Sequence, residues 1–482
     1  MKKILVGTLL GAALIASMAG CSAQGEQQKD TKYADIESEL GFTERDMDSS
    51  YDEATATVIE LQGETASVQG QGAQVDGAKV TIDAGGSYIV RGSLDNGTID
   101  VSLPSNDDTV QLVLDGASIR NDAGPALQVS KADAVYLTLA DGSTNMLSDG
   151  TGYALAAGED EVQAAIYTAS DLTVNGSGSL SVNGTHYHAI SSQGDFVVTG
   201  GTLDIASAED AAFANGAIKI GGGDITINAG DDGFHSEYLL YIADGTVDVE
   251  SSTEGFEAER IYVRGGNSSI VASDDGVNAS QSEAEKEASE SENEASEPPA
   301  EPEGDMGEPP ARPENNGGEP PARPEGDRGE PPAGEQGAPT PGKADDKQSN
   351  VPDIDDAYLI QIDGGALTVD AGGDGLDSNG YIVINGGTVL VSGASDADDS
   401  GLDYEYGATV NGGDVILVGA AGMAEDFTDG TQAHLMKRLS GNAGSTIEVL
   451  DANGNVLASY VVPKAFQAVT ASAPGIASVS VR

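Results

Sequence analysis

Short runs of alternating apolar and polar residues recur along most of the chain, with pairs of small residues between them. One unit reads Phe196-Val-Val-Thr-Gly-Gly-Thr-Leu-Asp-Ile205, and similar units occupy 217–227, 261–271, 381–391 and 408–418. Alternation with a period of two predicts strands that each bury one face. The Gly-Gly pair predicts a tight bend with positive φ.

Between residues 207 and 280 these units repeat every 21 or 22 residues, and each repeat ends in an acidic corner. The corners lie at 207–214, 230–236, 252–258 and 273–279, with two more at 373–378 and 398–403. A fixed period above about 20 residues indicates stacked repeats. The strands of a β-sandwich would lack a common motif and register. We therefore predict an all-β fold, a right-handed parallel β-helix with one long disordered loop insertion.

The repeats divide the mature chain into two parts of one β-helix, 51–280 and 353–482, and the second part includes a C-terminal cap. Residues 281–352 carry most of the chain's 18 prolines and no aromatic residue, so they cannot bury a core. We predict that this segment is a disordered Pro/Glu/Gly-rich insertion within one coil of the β-helix. It is either inert or a cell-wall binding segment. A hairpin around Asn453-Gly454 is predicted to close the last coil.

The N-terminus reads as a lipoprotein signal peptide at 1–20, followed by a polar spacer at 21–50. Lys2 and Lys3 precede an apolar run, and Cys21 follows small residues at the cut site. Met18 stands where Leu is usual, and a plain signal cut after Ala19 is the alternative. We predict a protein lipidated on Cys21 and held at the extracellular face of the cell membrane.

Charge narrows the range of partners. The chain has 80 acidic residues against 22 basic ones, a formal charge of -58. Nucleic acids and anionic membranes need cationic surfaces, so we expect no nucleic acid partner and membrane contact through the lipid only. Cys21 is the only cysteine, which excludes an intramolecular disulfide, and we expect a monomer.

The acidic corners are the main candidate for chemistry. Stacking the coils places their carboxylates in a row, and unpaired carboxylates repel one another unless a cation lies between them. Ca²⁺ accepts six to eight oxygen ligands in variable geometry, whereas Mg²⁺ demands a stricter octahedron. Glycine in the corner is expected to allow a sharp bend that presents carbonyl oxygens. The predicted Ca²⁺ ligands are Asp210, Asp231, Asp232, Glu254, Asp274, Asp275, Asp374, Asp377 and Asp399.

Two alternatives stay open for these corners. Asp and Gly are common turn formers, and Asp caps backbone amides in Asx-turns. The row is also uneven, because the 209–212 corner lacks glycine and Thr253 replaces the first acid of its corner. His186 and His188 lie in the corner of an earlier coil; a transition-metal site would need a third ligand, so we predict a structural or sugar-contacting role.

Several segments together resemble the bacterial carbohydrate-binding domain-containing proteins, which share a parallel β-helix with the pectate lyases. The resemblance covers most of the mature chain. It includes 86–94, 112–119 and 166–178, the Asp-Asp-Gly corners and Gly373-Asp-Gly-Leu-Asp-Ser-Asn-Gly380. It implies Ca²⁺ sites at the corners and binding of plant cell-wall polysaccharide, including acidic pectin-like sugars, without demonstrated cleavage.

We therefore predict a non-catalytic protein that captures polysaccharide at the cell surface. A Ca²⁺-dependent lyase is the second possibility and would need a basic residue to abstract a proton, for which Arg260, Arg264 and Lys219 are the nearest candidates. An adhesin for a protein partner is the third. The predicted sugar-contacting residues are His188, Tyr238, Tyr262 and Arg264.

Overall fold

The computed structural model describes residues 36–153, 164–281, 352–395 and 399–482. Within them the chain winds through three parallel sheets, one strand per sheet in each coil, and every strand pairs with its equivalent in the next coil. Ala212 pairs with Phe234, Phe234 with Phe256 and Phe256 with Val277, which reproduces the 21- or 22-residue period. The predicted parallel β-helix is confirmed.

Several strands are long enough to turn a corner and belong to two or three sheets. Those that contribute to the first sheet are Thr57–Gly63, Gly86–Leu94, Val110–Asn121, Ala134–Leu139, Asp171–Gly176, Phe196–Val198, Ala217–Asn228, Phe234–Ser251, Phe256–Val263, Leu359–Ile362, Tyr381–Ile384 and Gly407–Val410. The second sheet adds Thr144–Asp149, Ser179–Gly184, Thr202–Ser207, Asn267–Ala272, Ala366–Ala371, Thr388–Ser392 and Asp414–Gly419. The third sheet adds Lys79–Ile82, Thr98–Ser102, Leu127–Lys131, Ala164–Thr168, His188–Ser192, Ala212–Ala214, Val277–Ala279, Leu376–Ser378 and Asp403–Tyr404.

The bend between the first and second sheets uses the Gly-Gly pair as predicted. The second residue of the pair has φ of +93° at Gly201, +94° at Gly223 and +87° at Gly387. This region of φ is costly for residues with a Cβ atom. Glycine is therefore required at this bend for conformational reasons.

Inside the coils, equivalent apolar side chains stack on one another along the solenoid. The rings of Phe234 and Phe256 lie 5.6 Å apart and nearly parallel, and both are fully buried. Val277 and Leu376 continue the same column. Val277–Ala279 is the last strand before residues 282–351, and Leu359–Ile362 is the first strand after them. Because Leu359–Ile362 pairs with Phe256–Val263, the first sheet continues across that segment. The predicted insertion lies almost wholly outside the described residues.

Antiparallel strands cover both ends of the stack, where parallel edges would otherwise be exposed. At the start, Ala66–Gln69 and Ala73–Asp76 form hairpins with the first coil. At the end, His434–Lys437 and Ala468–Ser472 add to the second sheet. The hairpin predicted around Asn453-Gly454 is present and forms a three-stranded sheet, whose strands are Thr446–Leu450, Val456–Val461 and Ser478–Val481.

The only helices among the described residues are short. They are the α-helix Ile36–Glu39 and the 3₁₀ helix Ile354–Asp356. No helix in this part of the chain has the length and apolar character needed to span a membrane. Cys21 and the rest of the predicted signal peptide lie outside the described residues.

Residues 36–50, which the sequence places in the polar spacer, pack along the outer face of the first sheet; we call this segment the strap. Ile36 and Leu40 are buried against Leu239 and neighbouring side chains. The Phe42 ring stacks on Tyr241 with centroids 5.9 Å apart. The strap therefore gives the first sheet an apolar cover.

Polar contacts fix the middle of the strap. Asp46 is buried, and its Oδ1 accepts a hydrogen bond of 2.7 Å from the hydroxyl of Thr173. The backbone carbonyl of Asp46 accepts a second bond of 2.7 Å from the hydroxyl of Thr199. These bonds join residues more than 120 positions apart in the sequence, so the strap holds its place by tertiary contacts.

Replacing Thr173 with Val keeps the shape of the side chain and removes the donor to Asp46. We expect the free energy of unfolding to fall by about 1–3 kcal/mol, because a buried carboxylate loses a hydrogen bond. We also expect faster proteolysis within 36–50. Thr409→Val, on an uncovered part of the same sheet, is the matched control. Equal effects of the two substitutions on stability and proteolysis would contradict this role of the strap.

Candidate functional site: an acidic cleft between the second and third sheets

The acidic corners lie where each coil passes from the second sheet to the third. Asp210, Asp232, Glu254, Asp275 and Asp374 all occupy the position two residues before a third-sheet strand, and those strands pair in register. The next coil places Ser400 at this position, so Asp399 is displaced by one residue from the row. We call these five carboxylates the corner row.

A second column of side chains runs beside the corner row. The middle residue of each third-sheet strand points outward, and register stacks Phe213, His235, Glu257, Asn278 and Asp377 on one another. Asp403 follows Asp377. We call this the strand column. The sequence places Asp377 in the same row as the corner carboxylates. In the structure it belongs instead to the strand column, beside that row.

Each corner carboxylate uses one oxygen to bind the next coil. Asp210 Oδ1 accepts a bond from the backbone N–H of Asp232 at 3.1 Å, and Asp232 Oδ1 accepts one from Glu254 at 3.2 Å. Asp275 Oδ1 accepts one from Asp374 at 2.6 Å. These bonds join one coil to the next and are therefore not the Asx-turns of the turn-forming alternative; they use one oxygen of each Asp side chain and leave the other oxygen available.

The corner glycines were predicted to allow a sharp bend that presents carbonyl oxygens, and the structure gives them a different role. The backbone carbonyls of Glu254 and Asp275 accept bonds of 3.0 Å from the N–H groups of Gly233 and Gly255 in the preceding coil. A Cβ atom on Gly255 would lie 2.3 Å from the carbonyl oxygen of Gly276. Close approach of the coils thus requires glycine here, and the carbonyls already take part in inter-coil bonds. The ligands that this corner offers are mainly side chains.

The upstream part of the two columns forms an open cleft of about 450 Å³. His235 lies at its centre, with Nδ1 3.2 Å from Asp232 Oδ2, 3.5 Å from Glu257 Oε2 and 3.7 Å from Asp210 Oδ2. His188 Nδ1 lies 3.3 Å from the same Asp210 oxygen. Two sets of side chains each bring three ligand atoms within 4.8 Å of one another: Asp210, Asp232 and His235, and Asp232, Glu254 and Glu257.

Burial and mutual repulsion dominate the electrostatics of this cleft. Burial, then the charge of Asp232, raises the pKa of Asp210 to about 8. Burial, then Glu257 and Asp232, raises the pKa of Glu254 to about 9. For His235, burial opposes protonation, but the surrounding carboxylates outweigh it and raise its pKa to about 11. Burial and the charge of His235 lower the pKa of His188 to about 3.

The downstream part holds a second acidic group without histidine. Burial raises the pKa of Asp374 and Asp377 to about 7 and that of Asp275 to about 6, and the charges of neighbouring carboxylates, Asp403 among them, add to each shift. Asn278 lies between the two parts. It donates a bond of 3.0 Å to Glu254, while its buried Oδ1 has no hydrogen-bond partner.

The remaining predicted ligands lie at the edges of these groups. Asp231 is half-buried and lines the upstream cleft. Asp274 is exposed. Asp399 is half-buried, and its charge contributes to the raised pKa of Asp275 and Asp377. These three residues are placed to add charge around the site.

The predicted sugar-contacting residues separate in the structure. His188 lines the cleft, but Tyr262 is only 2% exposed and packs in the apolar cluster of the first sheet, with Tyr238 against its edge. Arg264 pairs with Asp363 at 3.1 Å. No local pattern in the sequence predicts the strap that covers this face.

An aromatic wall that the sequence analysis missed borders the cleft. The ring of His188 stacks on Phe213 with centroids 5.3 Å apart, and Tyr187 contacts His188 edge-on at 4.2 Å. His235 meets the other side of Phe213 at 5.1 Å. Period-2 alternation in the triplets 212–214, 234–236 and 256–258 was the available signal, since it directs the middle residue outward.

Comparison with known proteins supports the resemblance drawn from the sequence. Residues 76–298 match a family model described as carbohydrate-binding domain-containing protein. A carbohydrate-binding domain-containing protein of Acetivibrio thermocellus is 30% identical over 128 residues, which are 26% of this chain and 44% of that protein. The predicted family resemblance is confirmed.

The matched region contains the whole upstream cleft and Asp275 of the downstream acidic group, but ends before Asp374 and Asp377. The match to the Acetivibrio thermocellus protein spans less than half the length of that relative. A solved structure of a polysaccharide lyase-like protein from C. thermocellum, a gadolinium derivative, aligns with a TM-score of 0.44 and 25% identity, over 47% of this chain and 92% of that one.

The raised carboxyl pKa values predict how the stability of the metal-free protein depends on pH. Groups whose pKa is raised by folding stabilise the fold at low pH, and this stability is lost as pH rises through the folded values. His235 acts in the same direction. We expect the melting temperature of the metal-free protein to fall as pH rises from about 4, where these carboxyl groups ionise in the unfolded chain, to about 9, the highest of their folded pKa values.

Glu254→Gln should make this decline smaller, since it removes a carboxyl group with a strongly raised pKa while keeping its shape. Glu64→Gln, at an exposed hairpin turn, is the control and should follow the unmodified protein. Parallel pH profiles for Glu254→Gln and Glu64→Gln would refute the assignment of the decline to the corner row.

Proposed function

We propose that the chain binds acidic polysaccharide at the cell surface, through Ca²⁺ held between the corner row and the strand column. The observation that carries the proposal is the meeting of the corner row and the strand column in an open cleft with an aromatic wall. The family match at 76–298 supports a carbohydrate ligand. The N-terminal sequence of the chain supports attachment to the membrane through lipid on Cys21.

The ligand chemistry of the downstream group favours Ca²⁺. Asp275, Asp374, Asp377 and Asn278 supply only oxygen atoms, which Ca²⁺ accepts in variable number and geometry. An ion here would offset the repulsion that raises the pKa of the three carboxyl groups. It would also give the unpartnered Asn278 Oδ1 a partner, because a buried acceptor without one is costly.

The set formed by Asp232, Glu254 and Glu257 offers a further oxygen-only position within the upstream cleft. A Ca²⁺ ion bound there on one side leaves coordination positions toward the open side of the cleft. A uronate carboxylate is suited to these positions. The faces of Phe213 and Tyr187 provide apolar area for the C–H face of a sugar ring.

The contacts of the arginines bear on the lyase alternative. Arg260 is 2% exposed and donates bonds of 3.1 and 2.8 Å to the carbonyls of Ile354 and Ala357. Arg264 pairs with Asp363, and Lys219 pairs with Asp195 at 2.8 Å. All three basic residues are engaged in structural contacts away from the corner row, and we therefore favour binding over cleavage.

Calcium removal gives the first test. Ca²⁺ should raise the free energy of unfolding by about 2.7 kcal/mol when its free concentration is about 100 times Kd, and chelation should reverse this. Asp377→Asn should weaken the effect, because it removes one downstream ligand charge. Asp204→Asn, an exposed outward position on the second sheet, is the control. Identical melting curves with Ca²⁺ and with chelator would rule out the calcium sites.

Polysaccharide capture gives the second test. We expect retention of the protein on polygalacturonate with Ca²⁺, release by chelator, and much weaker retention on the fully methyl-esterified polymer, which lacks free carboxylates. Phe213→Ala should reduce retention by about tenfold, the equivalent of about 1.4 kcal/mol. Tyr406→Ala, just before the first-sheet strand Gly407–Val410, is the control.

Absorbance of unsaturated uronate is followed in the same samples. Its appearance would establish a lyase. Absence of both retention and product would leave polysaccharide binding unsupported and favour a protein partner.

A further inference from the structure

Two histidines from different coils converge on one carboxylate oxygen. His188 Nδ1 lies 3.3 Å and His235 Nδ1 3.7 Å from Asp210 Oδ2. Asp232 Oδ2 lies 3.2 Å from the same nitrogen of His235. From the sequence, a transition-metal site at His186 and His188 lacked a third ligand; in the structure Asp210, Asp232 and His235 lie beside His188.

The His188 nitrogen points independently to a missing ligand. Its Nδ1 is buried and makes no hydrogen bond, although it lies close to Asp210. The ring is held in place by stacking on Phe213 and by the edge of Tyr187. A buried nitrogen without a partner is costly, and a cation accepting its lone pair would remove that cost.

The carboxylates are fixed in the orientation that such an ion needs. Asp210 Oδ1 and Asp232 Oδ1 are both bound to backbone N–H groups of the next coil, so their Oδ2 atoms face the imidazoles. On the other nitrogen of His235, Glu237 Oε1 lies 3.6 Å from Nε2. A carboxylate at this position orients a metal-bound imidazole.

We propose that His188, Asp210, Asp232 and His235 form a site for a borderline divalent transition ion such as Zn²⁺, distinct from the downstream Ca²⁺ group and sharing Asp232 with the upstream oxygen-only set. Imidazole nitrogen suits Zn²⁺, Co²⁺ and Ni²⁺, whereas Ca²⁺ takes oxygen ligands. With metal–ligand bonds of about 2.1 Å, tetrahedral ligand atoms lie about 3.4 Å apart. The separations of 3.2 and 3.7 Å within the compact set of Asp232, His235 and Asp210 are close to that value, and His188 joins the set through its 3.3 Å approach to Asp210.

This site does not depend on polysaccharide binding, and the metal alone tests it. Metal-stripped protein is titrated with Co²⁺ in the presence of saturating Ca²⁺, and the visible absorption of bound Co²⁺ is recorded. We expect one equivalent to bind with the intense bands of a low-coordinate nitrogen-containing site. Zn²⁺ should displace it, and excess Ca²⁺ should leave it bound.

Substitutions assign the ligands. His188→Ala and His235→Ala should each weaken Co²⁺ binding by at least about 100-fold, the upper end of the loss seen when only a residue that orients a metal ligand is removed. His434→Ala, which removes a histidine near the C-terminal end, should bind Co²⁺ like the unmodified protein. Circular dichroism and the Ca²⁺-dependent melting shift report whether each variant is folded, and His188→Gln provides a milder change where alanine unfolds the protein.

Two results would overturn the proposal: full displacement of Co²⁺ by Ca²⁺, or unchanged Co²⁺ affinity in folded His188 and His235 variants. Either would assign His235 to the role of an imidazolium counter-ion for the corner row. Neither outcome would affect the calcium test, which is read from Asp377→Asn.

Discussion

Parallel pairing of each strand with its equivalent in the next coil is the constraint on which the rest of this molecule depends. It places identical positions above one another at a spacing of about 4.8 Å, so whatever chemistry one coil presents is multiplied along the axis. Inside the solenoid this is favourable, as in the stack of Phe234 on Phe256. At the acidic corner the same stacking places carboxylates side by side and generates repulsion.

The corner partly resolves this conflict, because its carboxylates accept hydrogen bonds from backbone N–H groups. Asp210, Asp232 and Asp275 each accept the N–H group of the following coil, which fixes the side chain and satisfies a donor. This bond does not remove the negative charge, and burial makes the charge more costly. The raised pKa values of Asp210 and Glu254 express this cost, and a bound cation lowers it without breaking the inter-coil bonds.

Much of this architecture could be predicted from the sequence, because a period of 21 or 22 residues fixes which positions stack. The corner row from Asp210 to Asp374 follows from counting alone. The strand column was harder to predict, because His235 and Glu257 are different residue types. Only their shared position in the middle of a three-residue strand segment relates them. The strap was inaccessible to local patterns, because Phe42 and Asp46 contact residues far along the chain. For that reason Tyr262 appeared to be available for a sugar and is in fact covered.

The two parts of the acidic site differ in a way that repetition alone does not require. Each coil contacts only its neighbours, so substitutions in one coil can change local chemistry without disturbing the stack. Upstream, Phe213 and His235 enter the strand column, and together with His188 and Tyr187 they give the cleft imidazole nitrogens and an apolar wall. Downstream, Asn278, Asp377 and Asp403 keep the column to oxygen. The bond from the Asp374 N–H to Asp275 joins the coils on either side of residues 282–351. The acidic row therefore continues where the sequence is most interrupted, and both parts lie on one continuous series of paired strands.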